Sequence, residues 1–109
     1  MICLLFKYQD SKPVEMFPGV TRRTLISGDR LMLTEFTYEK GCHVPTHKHP
    51  HEQISCVIEG KYKVKIEEKV HIVEKGDSYL VPPNMEHSQH AIEKTITLDI
   101  FSPPREEYR

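Results

Sequence analysis

Lys61-Tyr62-Lys63-Val64-Lys65-Ile66 alternates without a break. Tyr62, Val64 and Ile66 fall on one face and three lysines on the other, the signature of a strand with one side buried and one in water. Working outward, Glu59-Gly60 before it is a turn signal, and Val70 to Val73 after it is a second short strand. Leu31 to Tyr38, Gln53 to Ile58, Ser78 to Val81 and Lys94 to Ser102 also read as strands. Gly28-Asp29, Lys40-Gly41, Gly76-Asp77 and Pro82-Pro83-Asn84 mark the turns between them. Helical periodicity is hard to find. Many short strands at close spacing predict an all-β sandwich or barrel.

At 109 residues the chain has room for one domain, 1–109. Fifteen Lys and Arg balance 16 Asp and Glu, for a net charge of −1, so the basic excess of a nucleic-acid binder is absent. No apolar run approaches a membrane span, and Met1 to Phe6 is too short for a signal-peptide core. Cys3, Cys42 and Cys56 are odd in number and lack Cys-x-x-Cys spacing. They are expected to be small buried hydrophobes in a protein of the reducing cytoplasm. The composition is unusual in its seven histidines.

His47-Lys48-His49-Pro50-His51-Glu52-Gln53 carries the strongest chemical signal. Histidines two apart on extended chain project from the same face, so both imidazoles can reach one ion. Gln53 shares their parity, and His87 follows a Pro-Pro-Asn turn at the start of another strand. Three imidazole nitrogens and an amide oxygen suit a first-row divalent metal and leave coordination positions open. On the residues alone, solvated surface histidines remain the alternative. His51 reads as a rim residue or as a partner that supports the ligands, His43 and His90 fit either face, and His71 reads as solvated.

The intervals from Gly41 through His47-x-His49 and Gln53 to Gly60 resemble the first motif of the cupin superfamily. Those from Gly76 through Pro82-Pro83-Asn84 to His87 resemble the second. The resemblance implies a single-domain cupin, a double-stranded β-helix or jelly-roll barrel, with the metal inside its wider end. Residues 31–102 would form the barrel, 1–30 the N-terminal strands and 103–109 a tail. Gln53 stands where many cupins have glutamate, and Asn84 where glycine is usual. Asparagine tolerates a left-handed backbone, so the turn should survive. An amide leaves the full charge of the ion facing the substrate, which favours a strong Lewis acid; the alternative is a weaker, often empty site.

In Thr95-Ile96-Thr97-Leu98-Asp99-Ile100-Phe101 the isoleucines and leucine share one face, and Thr95, Thr97, Asp99 and Phe101 the other. Which face is inside stays open on the sequence. The run Leu98 to Glu106, with His47 to Gln53 and Gly76 to Asn84, resembles the small pectin-degradation cupins known as KdgF. That resemblance implies linearisation of 4,5-unsaturated monouronates from pectin or alginate breakdown. It implies one divalent transition metal (Ni, Zn, Mn, Fe or Cu) on His47, His49, Gln53 and His87, and catalytic roles for Asp99, Phe101 and Arg105. A carboxylated sugar would be the small-molecule partner, with Arg22 or Arg23 as a second carboxylate contact if not solvated strand charges. A homodimer is also implied; the apolar Ile2 to Phe6 and Val14 to Phe17 could supply an edge strand that exchanges between subunits, the alternative being an ordinary first strand in a monomer. The rival functions are a cupin dioxygenase or oxidoreductase on a small organic substrate, and a non-catalytic sugar- or metal-binding cupin.

Overall fold

A computed structural model describes residues 3–109; Ile2, the first residue of the apolar edge expected above, lies outside them. Ten strands form two antiparallel sheets. They are β1 (Pro13–Phe17), β2 (Val20–Ser27), β3 (Met32–Tyr38), β4 (His43–His47), β5 (Glu52–Glu59), β6 (Lys61–Ile66), β7 (Lys69–Glu74), β8 (Ser78–Val81), β9 (His87–Ala91) and β10 (Thr95–Ser102). The larger sheet runs β1-β2-β3-β10-β5-β8 and the smaller β4-β9-β6-β7. The crossovers from β3 to β10 and from β4 to β9 give the jelly-roll connectivity expected of the motifs. No helix among the described residues is long and apolar enough to cross a membrane.

The lysine-flanked strand is where its pattern puts it. Tyr62 and Val64 are fully buried, while Lys63 and Lys65 face out. They pack with Val57, Val73 and Phe36, and with Tyr38, whose ring centroid lies 5.3 Å from that of Tyr62. Two strands escape the alternation pattern. Val20–Ser27 mixes polar and apolar residues on both parities, and β4 carries Pro45, which is tolerated because β4 is an edge strand paired only to β9. Among the described residues the apolar segment before β1 forms no strand: Leu4 and Leu5 are exposed, and a 3-10 turn at Tyr8–Asp10 precedes Pro13. Val14 lies in β1, which pairs with β2 of its own chain. None of the three cysteines is fully buried, contrary to expectation. Cys3 is exposed, and Cys56 takes the outward parity between inward Ser55 and Val57.

The larger sheet places polar residues inside. Thr34, Asp99, Ser55 and Tyr79 occupy one register row across β3, β10, β5 and β8. Thr34 and Ser55 are fully buried, and Asp99 is 3% exposed. The next row toward the barrel end holds Met32, Phe101, Gln53 and Val81. Ile54, Leu80 and Ile100 face outward instead. The alternation in β10 is real, and its apolar face is the outer one.

Two turns hold the motifs in place. Asn84 adopts φ 62°, as the asparagine-for-glycine exchange requires, and donates its backbone N–H to the His49 carbonyl at 2.7 Å. The second motif is thereby tied to the first. Gly60, at φ 90°, turns the chain from β5 to β6. A Cβ there would meet the Lys94 carbonyl oxygen and stand 2.7 Å from Thr95 Cα. Gly60→Ala is therefore expected to cost roughly 3 kcal/mol through backbone strain and overlap. A melting curve should show a Tm lowered by on the order of 10 °C; an unchanged Tm would refute the clash.

Candidate metal centre

His47 ends β4, His49 lies in the following turn, and His87 opens β9 as the register partner of His47. The parity of His47 and His49 and the β4–β9 pairing bring three imidazoles together. One nitrogen from each lies within 4.8 Å of the others. His49 and His87 are buried and His47 is half-buried.

Each ring is oriented by a backbone carbonyl two residues away. His47 Nδ1 is 2.8 Å from Pro45 O, His49 Nδ1 3.0 Å from His51 O, and His87 Nδ1 2.9 Å from Met85 O. A carbonyl only accepts, so each Nδ1 carries the proton and each Nε2 keeps its lone pair. Burial lowers all three pKa values, that of His87 to about 4, so the imidazoles are neutral and ready to ligate at neutral pH.

Two observations test whether a cation fits. His87 Nε2 is buried without a hydrogen-bond partner. Gln53 Oε1 lies 3.1 Å from His49 Nε2, while the Gln53 amide nitrogen donates to Ser55 Oγ at 2.9 Å. An amide oxygen and an unprotonated imidazole nitrogen are both acceptors, and a shared cation resolves their approach. Neighbouring donors at right angles on a first-row ion, with bonds of about 2.1 Å, lie roughly 3 Å apart. The donor set therefore suits a divalent transition metal, as the sequence predicts.

The His47 imidazole borders a cavity of about 330 Å³ whose walls also include Gln53, Asp99, Phe101, Arg105 and Tyr108. That volume is in the range of small-molecule sites. Burial raises the Asp99 pKa to about 6; the Ser55 and Thr97 hydroxyls and the Arg105 charge oppose the shift. Asp99 Oδ1 has no hydrogen-bond partner. The Arg105 guanidinium carbon lies 5.1 Å from the Phe101 ring centroid and 4.2 Å from that of Tyr108. It pairs with Glu107 at 3.2 Å, and its Nε is buried and unpartnered.

Five of the seven residues singled out in the sequence, His47, Gln53, Asp99, Phe101 and Arg105, thus line this cavity, and His49 and His87 adjoin it through the imidazole cluster. The other histidines divide as follows. His51 is half-buried and lends its carbonyl to His49. His43 and His90 are register partners on the outer face, and His71 is exposed. Three nearby residues were missed or misread. Gln89 lines the cavity with an unpartnered Oε1, and its i, i+2 relation to His87 was the available signal. Tyr108 reaches the wall because the tail folds back, its carbonyl accepting from Thr24 Oγ1 at 2.6 Å. Arg22 is only 8% exposed, with its guanidinium 4.2 Å from the Tyr108 ring centroid, so it is not a solvated strand charge. It lies on the inward parity of β2, facing the folded tail.

A family model described as a cupin domain matches residues 34–101. The pectin degradation protein KdgF of Dickeya dadantii (strain 3937) is 32% identical over 96 residues, covering 86% of this chain and 87% of that protein. Among solved structures, an RmlC-like cupin from Shewanella frigidimarina NCIMB 400 superposes with a TM-score of 0.91 at 28% identity, over 97% of this chain and 96% of that one. KdgF from Halomonas sp. gives a TM-score of 0.90 at 25% identity, over 96% and 97% of the respective chains.

Proposed function

Because the chain belongs to the cupin family, we propose that it is a metal-dependent enzyme that linearises 4,5-unsaturated monouronates from pectin or alginate breakdown. The observation that carries this reading is the meeting of unlike groups in one cavity. His47, Gln53, a buried carboxyl with a raised pKa and a guanidinium share its walls, and the other two metal-competent imidazoles, His49 and His87, each bring a nitrogen within 4.8 Å of one on His47. The likeness to a pectin degradation protein supplies the substrate class.

His47, His49 and His87, with the Gln53 amide oxygen, would hold the ion. A divalent cation there supplies Lewis-acid stabilisation of negative charge developing on substrate oxygens. Arg105 binds the sugar carboxylate through its planar fork, and the Phe101 and Tyr108 rings fix that fork in place. Ionised Asp99 takes the proton of the anomeric hydroxyl, and the bond from the anomeric carbon to the ring oxygen breaks. The ring oxygen keeps the electron pair as an enolate conjugated with the carboxylate. Protonated Asp99 then returns the proton to carbon 4, giving the open-chain keto sugar. No atom is gained or lost, so no co-reactant is needed.

Fresh lyase-generated unsaturated uronates test the reading. Metal-loaded protein should accelerate the loss of their double-bond absorbance, and an unchanged decay with a fully loaded site would overturn it. Arg105→Ala should raise KM about 10- to 100-fold with a smaller change in kcat, the loss of a charge-assisted contact. Equal KM values would remove Arg105 from carboxylate binding.

A further inference from the structure

We infer that Ser55 is a positioning residue that selects which end of the Gln53 amide faces the metal. The inference rests on the metal-binding part of the reading above and not on the uronate chemistry. A glutamine side chain has two ends of nearly equal size, and only the oxygen ligates a cation. The histidine rings do not make that choice, because their Nδ1 protons are spent on backbone carbonyls and their Nε2 atoms are acceptors. Ser55 Oγ makes it. It takes the Gln53 amide nitrogen at 2.9 Å and leaves Oε1 toward His49 Nε2.

The position of Ser55 makes the selection firm. It is fully buried, two residues from Gln53 on the same inward face of β5. Its register partners are Asp99 on β10 and Tyr79 on β8, so the residue is held between two polar side chains of the same inward row. The Ser55 lone pair is the acceptor that the Gln53 amide nitrogen meets. Gln53 needs such a partner where a glutamate would not, since either carboxylate oxygen can ligate. The hydroxyl at position 55 is thus the counterpart of the amide at position 53.

Cobalt(II) titration of the metal-free protein, followed by its d–d absorption, separates this role from general packing. Ser55→Ala should weaken Co²⁺ affinity about 10-fold, the lower part of the range for partners that orient ligands. It should also shift the spectrum toward that of Gln53→Ala. In a Gln53→Glu background the same Ser55→Ala change should cost less than about 2-fold, because there is no end to select. Ser55→Thr, which keeps the acceptor, should stay within about 3-fold of wild type and covers the case in which the alanine variant does not fold. An unchanged Ser55→Ala affinity, an equal loss in the Gln53→Glu background, or an equal loss in Ser55→Thr would each overturn the inference. Wild-type protein that binds no Co²⁺, Ni²⁺ or Zn²⁺ would overturn the metal site and this inference together. Tight metal binding without uronate activity would leave the inference standing and overturn only the proposed reaction.

Discussion

Asp99→Asn is expected to lower kcat for uronate linearisation by about 100- to 10,000-fold, the range for removing a general acid–base. The metal content should be unchanged. The substitution is nearly isosteric, and Asp99 lies one register row below Gln53, toward the barrel interior. A pH profile gives the sharper test. Asp99 must be ionised to take the first proton, and burial raises its pKa to about 6 in the metal-free protein. The wild-type kcat/KM should therefore rise with pH to a plateau. A bound cation favours the carboxylate, so the rising limb belongs at or below that value. The asparagine variant should lack the limb. Wild-type-like rates in Asp99→Asn, or a limb that persists in it, would assign the proton transfers elsewhere.

His87→Ala should abolish stoichiometric metal binding, with affinity lowered by at least about 100-fold. His87 is 1% exposed, its Nε2 is unpartnered and its Nδ1 is fixed by the Met85 carbonyl. No ordering cost remains for the ligand to meet on binding. The pH dependence has a definite sign. Burial lowers the His87 pKa to about 4, so the neutral, ligating form persists well below neutrality. Metal uptake by wild type should hold at neutral pH, weaken as His47 and His49 protonate below their ordinary range, and be lost as pH approaches 4, where His87 is protonated too. Metal measured by atomic emission after dialysis across that range checks both points. Full loading of His87→Ala would remove the residue from the site.

How much of this was legible in the sequence depends on which physical signal each residue carries. Lys61–Ile66 and Ser78–Val81 are strands at the residues their alternation predicts, because one face is packed and the other solvated. β2 and β4 were not legible: one mixes parities, and the other carries Pro45, which only its edge position allows. Three of the site histidines were legible because His47-x-His49 fixes a shared face and the second motif brings His87 across from His47. The side taken by Asp99 was not, since alternation defines two faces without saying which is inside. Here the apolar set, Ile96, Leu98 and Ile100, takes the outer face. The placement of Tyr108, and the burial of Arg22 that the sequence left between a carboxylate contact and a solvated charge, were not legible for another reason. Their placement depends on a tail folding back against β2, a tertiary event with no local pattern.

The polar register row has a consequence for how such a barrel can diversify. Thr34, Asp99 and Ser55 add little apolar burial, while Val57, Tyr62, Val64 and Val73 supply packing away from the cavity lining. Cohesion and chemistry are thereby largely divided between different side chains. Exchanges among the polar lining residues can change which small molecule is accepted while drawing little on the reserve that keeps the chain folded. A lineage built on this plan can inherit its stability intact and explore new substrates through a handful of positions.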